Sequence, residues 1–415
     1  MKRKKLIRLM MRVLLCLSFF SFMGGNGHAW VISTIATPDG HGTYDTKGKY
    51  SSLAIDSHSK AHISYMDQRQ ADPSSYSYNL SHITNSTGTW IEEVLGTGYP
   101  IWRIDAGMKT GNFAALAVDK NDKIHISFME CYDNIPNYGF SYDVIQASNA
   151  SGSWTKRLVD SWTGTYYLQN TWTTIKTDVN GGVHLGYLLP YVDYFGTVTS
   201  SDLKYATDSS GSYESEIVDP TDNVGSDLSL TVDLNNHIHL SYYDAANSAL
   251  KYATNASGSW ITSTIDNSPL VGKYSSIAID SNNKVHISYL DYMWLEALKY
   301  ATNAGGTWVT STIDSAAGVG AYSSLAVDSK NKIHISYYDK INRALRYATN
   351  AGGTWVTSTI DSDGDVGKYS SLAIDSTDYI HVSYYDSTNR SLKYAFGENV
   401  TTYRIFLPLL SNSQS

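Results

Sequence analysis

Apolar and polar positions alternate with a period of two along residues 319–361, "VGAYSSLAVDSKNKIHISYYDKINRALRYATNAGGTWVTSTID". Four short runs stand out: "YSSLAVD", "IHISYYD", "ALRYATN" and "WVTSTID". Leu325 and Val327 fall on one side of the first run, and Ser324, Ala326 and Asp328 on the other. In the second, Ile335 and Tyr337 oppose His334 and Ser336. That spacing predicts β-strands with one bulky face and one small, polar-edged face. The segments between them, "SKNK", "DKIN" and "NAGGT", are turn chemistry. Helical periodicity is not sustained anywhere in the chain.

The same phrase is written seven times. Its marker is an Asp followed six positions later by a His: Asp56/His62, Asp119/His125, Asp178/His184, Asp233/His239, Asp280/His286, Asp328/His334 and Asp375/His381. Four strands per repeat, at a period in the forties, predict an all-β, seven-bladed β-propeller with four-stranded antiparallel blades. The blades start near residues 50, 113, 172, 227, 274, 322 and 369, within a propeller spanning 30–396, with a tail at 397–415. The last repeat lacks its fourth strand after "SLKYAFGEN". The missing strand stands at the other end of the chain, as "WVISTI" from Trp30. The 26 positions from Trp30 to Asp56 fall within the range of the other blades, so the N-terminal strand is expected to close the ring. The competing candidate for that strand is "TTYRIFLPLL".

Between third and fourth strands stand "TNSTGTW" (84–90), "TNASGSW" (254–260) and "TNAGGTW" (302–308). These turns resemble degenerate Asp-boxes, the S-x-D-x-G-x-T-W turn of sialidase-like propellers, with Asn303 where the box has Asp. The resemblance covers nearly all of the chain after residue 29 and implies a fold rather than an activity. A sialidase would need three arginines around a carboxylate, a Tyr–Glu nucleophile pair and an acid, and those enzymes have six blades. Only seven arginines follow residue 29, and the "WRI" at Arg103 lies one blade too late for the family's first arginine motif. Sialidase activity is not expected.

The Asp–His pairs are expected to be a packing joint. A short hairpin sets each carboxylate opposite its imidazole, and the pair supplies too few ligands for a metal. Loop length carries the functional signal instead. The first hairpin is constant in all seven repeats, whereas the second-to-third connection takes 13 or 14 positions in blades 1–3 against six or seven in the others. The connections entering blades 1–3 are also longer, at 26, 29 and 24 positions against 20. All the added chain therefore gathers on one face of three adjacent blades, where a rigid scaffold usually carries its site. Stacking surfaces are expected there from Trp102, Tyr132, Trp162, Tyr166 and Tyr191, with Arg69 and Arg103 as polar anchors. Flat rings beside charged groups suit the apolar faces and hydroxyls of sugars.

Residues 1–29 read as a signal peptide, with a basic start, an apolar run too short to span a membrane, and small residues before Ala29. They carry six basic and no acidic residues, so their removal takes the formal charge from −8 to −14. A chain that acidic repels phosphate backbones, which argues against a nucleic-acid partner. One cysteine, Cys131, remains, so a large core rather than a disulfide must hold the fold. The expectation is a secreted, extracellular or periplasmic monomer that binds a glycan or cell-surface ligand and needs no cofactor. An extracellular polysaccharide lyase or glycosidase using the same face is the alternative, and a protein-interaction scaffold the third reading. Asp361, Asp363 and Asp365 in "DSDGDVG" have the alternate spacing of a calcium loop, although the glycine comes one position early for an EF-hand type.

Overall fold

The computed structural model describes residues 29–40, 44–72, 75–97, 114–134, 139–164, 172–192 and 198–398. They form seven four-stranded antiparallel sheets, each ordered first to fourth strand outward. The first strand of every blade contacts the first strands of both neighbours, which closes a ring around one axis. Blade 7 consists of Val366–Ile374, Ile380–Asp386, Ser391–Gly397 and, as its outer strand, Trp30–Ala36. The register runs Trp30↔Gly397 to Thr34↔Lys393, so the N-terminal strand closes the propeller as the spacing predicts. No helix among the described residues is long and apolar enough to cross a membrane.

Each Asp–His pair behaves as a joint. The Asp Oδ1 accepts two backbone N–H groups of its own hairpin, as Asp328 does from Lys330 (2.9 Å) and Lys332 (2.8 Å). The Oδ2 accepts the His Nε2–H in blades 1, 2 and 6, at 3.3 Å in each. In blades 3, 4, 5 and 7 the same atoms stand 3.3–3.5 Å apart without hydrogen-bond alignment. In blades 3–7 the His Nδ1 then meets a third-strand tyrosine hydroxyl, as Tyr205 for His184 (2.6 Å), Tyr252 for His239 (2.5 Å) and Tyr347 for His334. In blades 1 and 2 it meets His82 (3.3 Å) and Gln146 (3.0 Å) instead. Each of these tyrosines sets its ring edge-on to a tryptophan of an adjoining blade, as in Tyr252–Trp308 (5.1 Å) and Trp30–Tyr347 (5.3 Å). The polar joint thus continues into an aromatic contact between blades.

A second joint escaped the sequence reading. An Asp at the end of one blade's fourth strand receives a Tyr hydroxyl and a Lys from the next blade. Asp266 takes Tyr289 (2.7 Å) and Lys299 (2.6 Å), and Asp219 takes Tyr242 (2.6 Å) and Lys251 (2.5 Å). Asp361 takes Tyr384 (2.7 Å) and Lys393 (2.5 Å). Burial alone would raise the Asp266 carboxyl, but Lys299 and Ser268 hold it down at about 2. The recurring "TID" and "LKYA" were its sequence signal.

The joints make stability pH-dependent. Burial holds His62, His184, His239, His286 and His381 below the usual imidazole range, with their Asp partners only partly offsetting it. A depressed histidine contributes fully above its unfolded value near 6.5, and that contribution is lost as pH falls below it. The partner carboxyls of Asp119, Asp178, Asp233, Asp280 and Asp375 are themselves lowered, because hydrogen bonds outweigh burial. Their contribution is lost only at more acid pH. Asp227 works in the opposite sense: burial raises its carboxyl to about 6, so it destabilises as pH rises toward that value. Burial likewise raises Asp67 and Asp143 and depresses His82, so six histidines stand against three carboxyls. The melting temperature followed by circular dichroism should therefore be on the order of 5 °C or more lower at pH 5 than at pH 7.5. A flat profile, or a maximum near pH 5, would contradict the account.

Candidate functional site

Where the first strand approaches the axis, five blades carry Gly-x-Tyr or Gly-x-Asp: Gly48–Tyr50, Gly225–Asp227, Gly272–Tyr274, Gly320–Tyr322 and Gly367–Tyr369. The glycines have φ between 103° and 110°, and the residues two positions on have φ between 52° and 55°. Register slips against the second strand at the same place, for example between Ala321 and Ser324. This is a bulge that re-aims one side chain toward the axis. The serines that follow fix it. Ser51, Ser275, Ser323 and Ser370 donate to the carbonyls of Tyr369, Asp227, Tyr274 and Tyr322 in the preceding blade, at 2.7–2.9 Å. Ser276, Ser324 and Ser371 accept from Leu325, Leu372 and Leu53 of the following blade, at 2.9–3.0 Å.

The result is an aromatic ring at the centre of the molecule. Tyr50 lies 4.5 Å from Tyr369, Tyr369 4.7 Å from Tyr322, and Tyr322 4.7 Å from Tyr274, all tilted by 50–56°. Blade 3 contributes Trp172 at the same position and blade 4 contributes Asp227; the blade 2 position, Phe113, lies outside the described residues. The ring lines a cavity of about 850 Å³. Tyr243, at the end of a second strand, joins it, so the cavity opens on the face that carries the variable connections. Segments 98–113 and 165–171 end on Ala114 and Trp172, both in its wall.

Its electrostatics centre on blades 4 and 5. Burial pushes the Asp227 carboxyl up to about 6, opposed by the Tyr274 N–H and the charge of Lys273. Burial, then Asp227, pushes the Tyr274 hydroxyl up to about 12. Tyr50, Tyr322 and Tyr369 are raised further, by burial and by one another, so at neutral pH every ring hydroxyl is uncharged. Lys273 lies over Tyr292 (4.4 Å) and Tyr243 (5.4 Å), and the hydroxyls of those two tyrosines bond to each other. The arrangement offers apolar faces, neutral hydroxyls and one carboxyl that titrates near neutrality.

The residues expected from the sequence lie elsewhere or beyond description. Arg69 is bound to Asp67 (2.7 Å) and Asp39 (3.2 Å), and it does not line the axial cavity. Trp162 stacks on Tyr142 (5.1 Å, 16°) and packs against the cluster holding Tyr187 and Leu189. Tyr132 and Tyr191 fall within strands Ile124–Asn134 and Val183–Val192, but their side chains lie outside the described residues. Trp102, Arg103 and Tyr166 also lie outside them. In the candidate calcium loop, Asp361 is engaged by Lys393 and Tyr384, Asp365 by Lys368 (2.7 Å) and Tyr338 (2.6 Å), and the Asp363 N–H donates to Asp361. Among the described residues, the acidic and imidazole groups that converge are Asp56, His58 and Asp122. There Asp122 accepts the Ser57 N–H (2.8 Å) and hydroxyl (2.7 Å), a link between turns of two blades that Ser329 and Asp378 repeat. The axial ring was missed although "GKYSS" is printed three times, because an aromatic before two serines reads as ordinary strand.

The Asp-box-like turns share one geometry. Asn85, Asn255, Asn303 and Asn350 each accept, at 2.8 Å, the N–H that opens their blade's second strand, and Asp208 does the same at 2.9 Å. An amide oxygen serves as well as a carboxylate there, which is why Asn replaces Asp without loss of the turn. Fold and turns together define a seven-bladed propeller with Asp-box-like turns and an axial aromatic cavity. No family model matches the chain, and no curated protein matches it. Among solved structures, a protein of unknown function from Dyadobacter fermentans is 11% identical over 88% of this chain and 99% of its own, with a TM-score of 0.51. The NanB sialidase of Streptococcus pneumoniae is 13% identical over 90% of this chain and 71% of its own, at 0.48. The leech intramolecular trans-sialidase is 13% identical over 94% and 72%, at 0.47. The first of these likenesses shows the shared fold, and none reaches further.

Proposed function

We propose that this protein is a secreted, monomeric propeller that binds a carbohydrate in its axial cavity, on the face that carries the long loops of blades 1–3. The observation that carries this reading is the ring of Tyr50, Tyr369, Tyr322 and Tyr274 around a cavity of about 850 Å³, wide enough for a sugar unit. Tyrosines supply flat apolar surface and a hydroxyl at little entropic cost, which matches the alternating CH faces and hydroxyls of a pyranose. Trp102, Arg103, Tyr132, Tyr166 and Tyr191 remain the candidates for an outer rim. The net charge of −14 without residues 1–29 favours neutral or cationic ligands over polyanions.

A glycan array on the protein tests the reading, followed by titration calorimetry of the best binder. Tyr322→Ala should weaken that binding by about 2 kcal/mol, roughly thirtyfold, as the loss of a buried aromatic anchor does. Circular dichroism should show the fold retained. Full affinity in Tyr322→Ala and Tyr369→Ala would remove the axial assignment. Polysaccharide cleavage is the second reading, favoured by one observation: a carboxyl titrating near 6 within the cavity suits a general acid. Release of new reducing or unsaturated ends from the bound glycan, abolished in Asp227→Asn, would establish it over simple binding.

A further inference from the structure

At the six described positions of the axial ring, five carry an aromatic side chain and the sixth carries Asp227. The wall at this single departure also differs. Val224 and Ser226 of blade 4 line it, whereas their counterparts Val319 and Ala321 in blade 6, and Val366 and Lys368 in blade 7, do not. Blade 4 therefore contributes more of the wall than the other described blades, beside a short side chain that stands in place of a tyrosine ring. Three other buried carboxylates hold a lysine: Asp219 has Lys251, Asp266 has Lys299 and Asp361 has Lys393. Asp67 and Asp339 hold an arginine, and Asp244 and Asp386 accept from the amides of Asn247 and Asn389. Asp227 has the Tyr274 N–H, and among the described residues no ammonium or guanidinium stands within 4 Å of it. The nearby Lys273 is held over the Tyr292 and Tyr243 rings.

Given the axial cavity as the glycan site, on which this rests, we infer that Asp227 selects a sugar bearing a protonated amine. A buried carboxylate with no cation in direct contact favours a ligand that brings one. The surrounding tyrosine faces add cation–π attraction, which offsets part of the ammonium's desolvation. A neutral acetamido group gains neither. The same chemistry would hold a quaternary ammonium such as choline, so the probes must separate the two sources.

The experiment measures affinity for a β-1,4-linked glucosamine hexamer, its fully N-acetylated counterpart and choline. It uses the full chain and two variants: Asp227→Asn, which keeps the shape, and Asp227→Tyr, which restores the residue of blades 1, 5, 6 and 7. The amine-bearing hexamer should bind at least tenfold more tightly than the acetylated one. That preference should vanish in Asp227→Asn, and Asp227→Tyr should lose the hexamer while keeping the wild-type melting temperature. Equal affinity for both hexamers, unchanged in Asp227→Asn, would overturn the inference and leave the carbohydrate reading standing. Binding of choline without either hexamer would overturn the amino-sugar assignment and the carbohydrate reading together. Binding of none of the three overturns the inference alone, since the glycan array judges the carbohydrate reading separately.

Discussion

Deletion of residues 30–36 should abolish the single cooperative unfolding transition or lower its midpoint by on the order of 10 °C or more. These residues are the outer strand of blade 7, paired from Trp30↔Gly397 to Ala36↔Leu392, and they are the covalent clasp between the first and last blades. Their loss exposes the edge of Ser391–Gly397 and leaves a long unpaired row of backbone groups. It also removes the indole that stands edge-on to Tyr347 and packs on Gly397, where a Cβ would come within 2.7 Å of the ring. In a ring each blade depends on both neighbours, so opening it at one joint weakens the whole. Thermal melting by circular dichroism checks this. A truncated protein that unfolds cooperatively at the original temperature would show that the clasp is dispensable.

Gly367→Ala should cost roughly 3–5 kcal/mol, more than any single side-chain truncation at the ring. Two terms add. A φ of +110° is nearly closed to a residue with a Cβ, a strain of about 1–3 kcal/mol. The new methyl would also sit 2.7 Å from the Leu345 Cα, a backbone atom of the preceding blade that cannot swing aside. Gly272 and Gly320 meet Leu250 and Leu298 in the same way, at 2.8 and 2.9 Å, so the effect should recur there. Urea denaturation of Gly367→Ala and Gly320→Ala measures it directly. A change below 1 kcal/mol in both would mean that the blades are not interlocked at these glycines.

Blade number, strand order and ring closure were legible because each is a one-dimensional signal. The Asp–His spacing marks the blades, alternation marks the strands, and the distance from Trp30 to Asp56 identifies the closing strand. The Asp–His pair was also legible as structure, since a carboxylate and an imidazole across a short hairpin have one obvious arrangement. What the pair does beyond the blade was not legible. The Tyr205–Trp260 and Tyr252–Trp308 contacts join residues of different repeats, and no local spacing encodes them. The axial ring failed to announce itself for a related reason. Alternation assigns Tyr322 a face of a regular strand, whereas the bulge between Ala321 and Ser324 turns it toward the axis. The clue was a substitution rather than a motif: Asp227 stands where the other described blades have Tyr or Trp. Loop length points to blades 1–3, most of whose long connections lie outside the described residues, while among the described residues blade 4 contributes more of the cavity wall than any other blade.

A crystal structure of the complex with the best-binding glycan tests the central claim most directly. The account predicts a sugar ring against Tyr274, Tyr322 and Tyr369 at the axis, with a polar substituent directed at Asp227. A glycan seated instead on the constant turns around Ser57–Lys60 and Ser329–Lys332, with the axial cavity holding only solvent, would contradict it.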